Sequence, residues 1–276
     1  AYPNGGSYTD GTLVATGVQI ARAVRNPIQW GDGDNPGAHF TVTGTRTNPG
    51  MLIVNNTGDM STPGVSGING AATITIDHLV YLNNSETLYL PGSATSITVD
   101  KSLFANTPAS FDALGITETS GSDIPVSITN CTFFNNGVIS SNTAGLWLQN
   151  PGPSYTVTGN IFAGINGSNQ GGIVYSTGTG ARTTLTNNAF VLTGPHALAQ
   201  AEFGAGSPAV NSSGNVYVDV LFESTTIDSL DDLATAFDVQ AWQLEGAGVG
   251  GSDISGWGDL HALPRPTAAA DWELFQ

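Results

Sequence analysis

The stretch VSITNCTF, residues 126–133, carries a pattern of apolar, hydroxyl and aromatic residues that occurs four more times without gaps. The other copies are ITIDHLVY at 74–81, ITVDKSLF at 97–104, YTVTGNIF at 155–162 and TTLTNNAF at 183–190, and a weaker sixth copy ends at Tyr217. The closing aromatic residue recurs at intervals of 23, 29, 29, 28 and 27 residues, which is typical of one coil of a β-solenoid. We therefore expect an all-β fold, a right-handed parallel β-helix in which each copy contributes one rung.

Three columns of side chains follow from this alignment. Apolar residues alternate with Thr or Ser until a polar corner, where we expect the chain to turn, at Asp77, Asp100, Thr129, Thr158, Thr186 and Ser213. Two positions further lies the column Leu79, Ser102, Cys131, Asn160, Asn188 and Asn215. Its last three members predict an asparagine ladder, because stacked amides can donate and accept from rung to rung. The closing aromatic residues predict a buried stack at Tyr81, Phe104, Phe133, Phe162, Phe190 and Tyr217.

This pattern resembles the right-handed β-helix repeat proteins of the pectin-lyase-like superfamily, in segments such as SITNCTFFNN (127–136) and TVTGNIFAG (156–164). The resemblance covers roughly residues 72–220. It implies the fold but not one activity, because that superfamily contains lyases, hydrolases, epimerases and adhesins. The later segments GNVYVDVLF (214–222), SLDDLATAF (229–237) and DWELFQ (271–276) look like the end of secreted bacterial β-helix proteins.

We expect a single solenoid domain with a covered core at both ends. Residues 1–39 are predicted as an N-terminal cap, residues 40–222 as the rungs and residues 223–276 as a C-terminal cap and tail. Within 11–30 the pattern fits a capping strand or a helix around residues 19–24. At the other end, Ser229 is predicted as the N-cap of an amphipathic helix with Leu230, Leu233 and Phe237 on one side.

Charge and hydropathy exclude several partners. The chain has 6 Lys plus Arg against 22 Asp plus Glu, a net charge of -16, so it lacks the cationic clusters that bind nucleic acid or an anionic membrane. No apolar run reaches the roughly 18 residues that cross a bilayer. We expect an extracellular or cell-surface protein after removal of a signal peptide. Its one cysteine, Cys131, is expected to be a small buried core residue.

The candidate catalytic residues are few. A polysaccharide lyase of this fold would need a Lys or Arg base, but Lys101 is the only lysine and is expected to be solvated. The arginines are scattered, although Arg46 and Arg182 could approach each other in space. A hydrolase would use stacked carboxylates, and Asp77 with Asp100 is the best acid pair, next to His78. The same column continues as Thr and Ser, so a structural role at the corner is the favoured interpretation of the pair.

The sequence predicts no cofactor, although one loop is a candidate site for a calcium ion. The loop WGDGDNPG at 30–37 contains Asp32, Asp34 and Asn35, three oxygen ligands in a tight turn, but no later acidic ligand of the EF-hand type. The simpler interpretation is an Asp/Gly/Pro turn. The remaining histidines, His39, His196 and His261, show no metal-ligand spacing.

Two functions remain open from the sequence. The first is a non-enzymatic extracellular structural protein that assembles with copies of itself, because the open strand edges of a solenoid must be capped or paired with a neighbour. The second is a polysaccharide-active enzyme, glycan-binding module or adhesin on the same fold.

Overall fold

A computed structural model of the chain describes residues 12–21, 39–55, 73–84, 87–91, 94–107, 113–117, 124–136, 145–148, 154–163, 173–175, 183–190, 211–218 and 221–261. Strands are the main elements of these ranges, which contain short 3-10 helices but no α-helix. Within the same ranges, no helix has the length and apolar character needed to span a bilayer.

Three parallel sheets build the solenoid. Sheet A has the strand order β1 (Thr12–Ala15), β3 (His39–Val42), β5 (Thr73–Asp77), β8 (Ser96–Asp100), β11 (Pro125–Thr129), β14 (Ser154–Thr158), β17 (Thr183–Thr186) and β19 (Asn211–Ser213). Sheet B consists of β2 (Val18–Ala21), β4 (Met51–Val54), β6 (Leu79–Leu82), β9 (Leu103–Ala105), β12 (Thr132–Phe134), β15 (Ile161–Ala163), β18 (Ala189–Phe190) and β20 (Val216–Tyr217). Sheet C contains β7 (Leu88–Pro91), β10 (Leu114–Thr117), β13 (Leu146–Leu148) and β16 (Ile173–Tyr175).

The predicted right-handed parallel β-helix is confirmed. Each coil passes from sheet A to sheet B, and in four coils through sheet C, before the chain returns one rung further along. Equivalent positions of the repeat are register partners, as in Ile97 with Val126 and Val126 with Tyr155. The first described rung, β1 with β2, lies inside the segment predicted as a cap, and residues 18–21 form a strand rather than the start of a helix.

The turn between sheets A and B lies one residue later than the predicted corner. Asp77 and its equivalents end the strands of sheet A, and the next residue has a positive φ. This turn column is His78, Lys101, Asn130, Gly159, Asn187 and Gly214, with φ between 42° and 72°. Asn and Gly tolerate this left-handed conformation at little cost, which explains the Asn or Gly on the four later rungs.

The predicted core columns are present. Consecutive aromatic rings from Phe104 to Phe190 stack with centroids 4.9 to 5.1 Å apart and planes within 8° of parallel, and Tyr81 and Tyr217 extend the stack at 6.1 and 6.0 Å. Such pairs add about 0.5–1.5 kcal/mol each beyond their buried area. In the asparagine ladder, Asn160 Nδ2 donates to Asn188 Oδ1 at 3.0 Å, and Asn188 Nδ2 donates to Asn215 Oδ1 at 3.1 Å.

A second asparagine ladder runs along the end of sheet B. Asn106 Nδ2 donates to Asn83 Oδ1, and Asn135 Nδ2 donates to Asn106 Oδ1, both at 3.0 Å. All three residues have a positive φ, so each amide stabilises the turn of its neighbouring rung. The sequence carries a signal for this second ladder, because Asn83, Asn106 and Asn135 each lie two residues after an aromatic position. The signal lies outside the repeated pattern, which ends at the aromatic residue.

Sheet B is apolar on both faces. Its inward residues join the solenoid core, whereas the outward residues form two further clusters with the C-terminal segment, residues 221–261. The outward set includes Leu52, Val80, Leu82, Leu103, Ala105, Ile161, Ala163 and Ala189. Burying this face removes apolar surface from water, and that burial holds the C-terminal segment along the side of the solenoid.

The C-terminal segment differs from the predicted helical cap. It contains the antiparallel pair β21 (Leu221–Phe222) and β22 (Val239–Gln240) and 3-10 helices at Asp231–Ala234, Trp242–Leu244 and Val249–Gly251. The predicted helix is wrong in two details: Ser229 is not its N-cap, and Leu230 is 43% exposed. The Asp232 carboxylate accepts the N–H groups of Asp228 and Ser229. Of the three apolar residues predicted on one side of the helix, Leu233 and Phe237 are buried in the cluster on sheet B.

Candidate functional site

Asp77 and Asp100 lie where the sequence predicted, at register-paired positions on consecutive rungs. The two carboxylates have different surroundings. Asp100 Oδ1 accepts the Thr129 hydroxyl at 2.7 Å and the Asn130 amide at 2.9 Å, so this side chain stabilises the turn of the next rung. These contacts agree with the structural role at the corner, and the catalytic role remains untested.

His78 is held between the corner and the C-terminal segment. Its Nδ1 lies 2.9 Å from Asp77 Oδ1, but the contact lacks hydrogen-bond geometry, so it is a close approach rather than a bond. The ring packs edge-on against Trp257 with centroids 5.9 Å apart. His78 has a φ of 60° and Lys101 a φ of 42°, which makes them the two bulky residues in the turn column. Lys101 is exposed, as expected.

Several sequence candidates lie outside the described residues. They are the calcium candidates Asp32, Asp34 and Asn35, together with Arg182 and His196. The expected approach of Arg46 to Arg182 therefore remains untested.

Arg46 instead contacts the C-terminal segment. Its guanidinium forms a close ion pair with Asp238 Oδ1 and donates to Asp259 Oδ2 at 3.0 Å and to the Ala236 carbonyl at 2.9 Å. The Asp238 side chain is only 2% exposed, and a buried carboxylate needs such a partner. Because these residues are about 190–213 positions apart from Arg46 in the chain, no local pattern could have predicted the contact.

Glu223, Asp238 and His261 form a second polar group beside this ion pair. One ligand atom from each lies within 4.8 Å of the others, so in the described part of the chain these three side chains are close enough together to hold a metal ion. His261 Nδ1 lies 2.5 Å from Glu223 Oε1, and His261 Nε2 lies 3.7 Å from Asp238 Oδ2. The hydrogen bond to Glu223 raises the pKa of His261, and those from Gln240 and His261 lower the pKa of Glu223. His261 shows no metal-ligand spacing in the sequence because its partners lie 38 and 23 residues earlier.

The outer face of sheet C carries an aromatic pair. Tyr89, Gly115 and Trp147 are register partners on three consecutive rungs, and their neighbours along each strand point into the core. A Cβ on Gly115 would lie 2.7 Å from the ring of Tyr89, so the ring occupies the space that the glycine leaves. The Tyr89 and Trp147 rings are partly exposed, with centroids 6.1 Å apart.

The expected burial of Cys131 is confirmed. The thiol is fully buried in the ladder column, and this burial raises its pKa far above the ordinary value. A thiol in this state is a poor nucleophile and a poor metal ligand, because both roles need the thiolate.

Comparison of the chain with protein-family models, with curated proteins and with solved structures found no match in any of the three. The parallel β-helix therefore rests on the repeat and on the strand register of this chain alone.

Proposed function

We propose that this chain is an extracellular or cell-surface structural protein whose solenoid stacks end to end with copies of itself. The observation that carries the proposal is the edge of the first described rung. Among the described residues, β1 and β2 each pair with a single neighbour, β3 and β4. Val18 occupies an inward column, in register with buried Met51, and yet it is 37% exposed. A rung with one described neighbour and an exposed core residue is a template for another β-edge.

The outer face of sheet A supports close packing of the assembled solenoids. Its outward central column is uncharged and mostly hydroxyl-bearing, with Thr41, Thr75, Thr98, Ser127, Thr156 and Thr184 in register. The net charge of -16 opposes association, and salt screens this repulsion. We therefore expect assembly to increase with ionic strength.

Light scattering after size-exclusion chromatography and negative-stain electron microscopy test the proposal. We expect concentration-dependent oligomers or filaments that Val18→Lys disrupts, because a lysine places a charge on the edge of the first described rung. The matched control is Val249→Lys, since Val249 is 61% exposed on the C-terminal segment, away from the first rung. A monodisperse monomer at high protein and salt concentration, or equal behaviour of the two variants, contradicts self-assembly.

The aromatic pair on sheet C favours a second candidate function, the binding of a polysaccharide. Partly exposed rings on the first and third of three consecutive rungs, with Gly115 between them, offer apolar faces to the C–H groups of a sugar. Arg46 is engaged in ion pairs, which leaves Lys101 as the free cation among the described side chains, so a neutral glycan fits better than a uronate.

Affinity electrophoresis on gels that contain neutral or acidic polysaccharides tests this candidate. We expect a neutral glycan to retard the protein, and Trp147→Ala to abolish the retardation while Val249→Ala leaves it unchanged. Reducing-sugar release by the native chain and by the Asp77→Asn, Asp100→Asn double variant tests the acid pair. Equal release by both proteins excludes these carboxylates as catalytic groups.

A further inference from the structure

The C-terminal segment places an imidazole beside two carboxylates through its backbone hydrogen bonds. The antiparallel pair β21–β22 puts Glu223 next to Asp238, and the Glu223 N–H donates to the Asp238 carbonyl at 2.9 Å. His261 follows a parallel bridge between Leu260 and Val239, and its N–H donates to the Val239 carbonyl at 2.8 Å. The main chain therefore determines the positions of all three side chains.

Asp238 has one oxygen engaged and one available. Its Oδ1 atom receives the Arg46 guanidinium and the Asp259 N–H, the latter at 2.9 Å. Its Oδ2 atom has no hydrogen-bond donor among the described residues, and its neighbour is His261 Nε2 at 3.7 Å. That separation is too long for a hydrogen bond. A carboxylate that is 2% exposed thus directs at a histidine nitrogen the oxygen that receives no hydrogen bond from the described residues.

The 3.7 Å separation suits two ligands of one metal ion. Zn²⁺ binds His nitrogen and carboxylate oxygen at about 2.0–2.2 Å, so both atoms can contact one ion with an angle of roughly 120° between them. The other ring nitrogen, Nδ1, lies 2.5 Å from Glu223 Oε1. A metal-binding histidine typically donates its second N–H to a carboxylate, which selects the tautomer and orients the ring.

Charge and access also favour a cation. The carboxylates of Glu223, Asp238 and Asp259 outnumber the single guanidinium of Arg46 at this place. The His261 side chain is 49% exposed, so an ion can reach Nε2 from solvent and keep water in its remaining coordination positions.

We propose that His261 Nε2 and Asp238 Oδ2 bind a divalent transition-metal ion of the zinc type, with Glu223 as the positioning residue for His261. The ion links the end of the segment at His261 to the start of β22 and secures both against the solenoid, to which Arg46 already connects Asp238. This inference is independent of self-assembly and of glycan binding.

Titration of the chelator-treated full chain with Zn²⁺, followed by calorimetry and by elemental analysis after dialysis, tests the site. We expect one ion per chain and a higher melting temperature with Zn²⁺. His261→Gln should weaken binding strongly, and Glu223→Gln by about 10–100-fold, the usual effect of a lost positioning carboxylate. His39→Gln is the matched control, because His39 lies on sheet A and bonds to Thr73.

A second readout separates this site from other histidines. With Cu²⁺ in place of Zn²⁺, electron paramagnetic resonance should show one nitrogen ligand in the native chain and in His39→Gln, and none at equal ion concentration in His261→Gln. Circular dichroism confirms that each variant is folded. Absence of saturable binding below millimolar Zn²⁺, or binding that His261→Gln leaves unchanged, overturns the proposal.

Discussion

The asparagine ladder makes a quantitative prediction at Asn160. Its buried amide is engaged on both sides: Oδ1 accepts the Cys131 N–H at 2.9 Å, and the two N–H groups of Nδ2 are shared among the Ile128 and Thr158 carbonyls and Asn188 Oδ1 at 2.9 to 3.2 Å. Each neutral hydrogen bond contributes about 1 kcal/mol net, and an orphaned buried donor costs about 1–3 kcal/mol. We therefore expect Asn160→Ala to lower the free energy of unfolding by roughly 3–5 kcal/mol.

A substitution in the same column provides the matched comparison. Cys131 Sγ lies 3.1 Å from the Thr129 carbonyl and 3.8 Å from the Val99 carbonyl, the acceptors that correspond to those of Asn160 one rung later. An asparagine of nearly the same volume at position 131 would extend the ladder. We expect Cys131→Asn to change the free energy of unfolding by less than about 1 kcal/mol, or to raise it.

Urea denaturation followed by circular dichroism measures both variants under identical conditions. The denaturation midpoint should fall for Asn160→Ala with little change in the slope, because the native surface is unchanged. The reasoning is refuted if Asn160→Ala stays within about 1 kcal/mol of the native chain, or if Cys131→Asn destabilises as much.

Four further outcomes follow from the contacts of the described residues. Because burial raises the pKa of Cys131, the native thiol should resist a disulfide reagent and react only in urea; rapid native labelling would contradict its burial. Trp257→Ala should cost about 3–5 kcal/mol and make the C-terminal segment sensitive to protease, because the ring is 4% exposed; unchanged proteolysis would count against its docking role. Arg46→Ala should cost about 3–5 kcal/mol in urea denaturation, since it leaves the buried Asp238 charge without its guanidinium partner. Adding Asp238→Ala should recover part of that loss, and no recovery would show that the charge is not the cause. Backbone N–H groups lower the pKa of Asp232 below 3.8, so this carboxylate stabilises the fold fully above pH 3.8 and loses that effect as the pH falls through its folded pKa. Asp232→Asn should therefore make stability fall less steeply at acid pH, and an unchanged acid dependence would exclude Asp232 as a contributor.

The repeat by itself determined the solenoid. Alternation in ITVDKSLF and its copies sets which side chains face inward, and the constant offset to Phe104 and its equivalents sets the register between rungs. Both are local properties that depend on one rung and its nearest neighbour, so they can be derived from a linear alignment. The aromatic stack and the ladder of Asn160, Asn188 and Asn215 follow from the same offset.

The turn and the C-terminal helix show where local patterns were insufficient. The repeat predicted the corner at Asp77, but the residue with the left-handed conformation is His78. His78 is equivalent to the Asn or Gly that adopts this conformation on the later rungs. The spacing of Leu230, Leu233 and Phe237 is helical, yet residues 229–237 contain only the short 3-10 helix Asp231–Ala234 and pack along sheet B. Burial against sheet B outweighs a helical propensity worth only a few tenths of a kcal/mol per residue.

Only the tertiary structure decided where the C-terminal segment docks and which polar groups it assembles. Apolar residues such as Val80 and Leu103 at outward positions of sheet B show in the sequence that another segment must cover this face. They do not show which residues cover it. The pairing of Arg46 with Asp238, and of Asp238 with His261, depends on how the segment runs back along rungs far away in the chain. Contacts of this kind carry no periodic signal, because they form once, between unlike segments, after the repeat has already built the surface that they use.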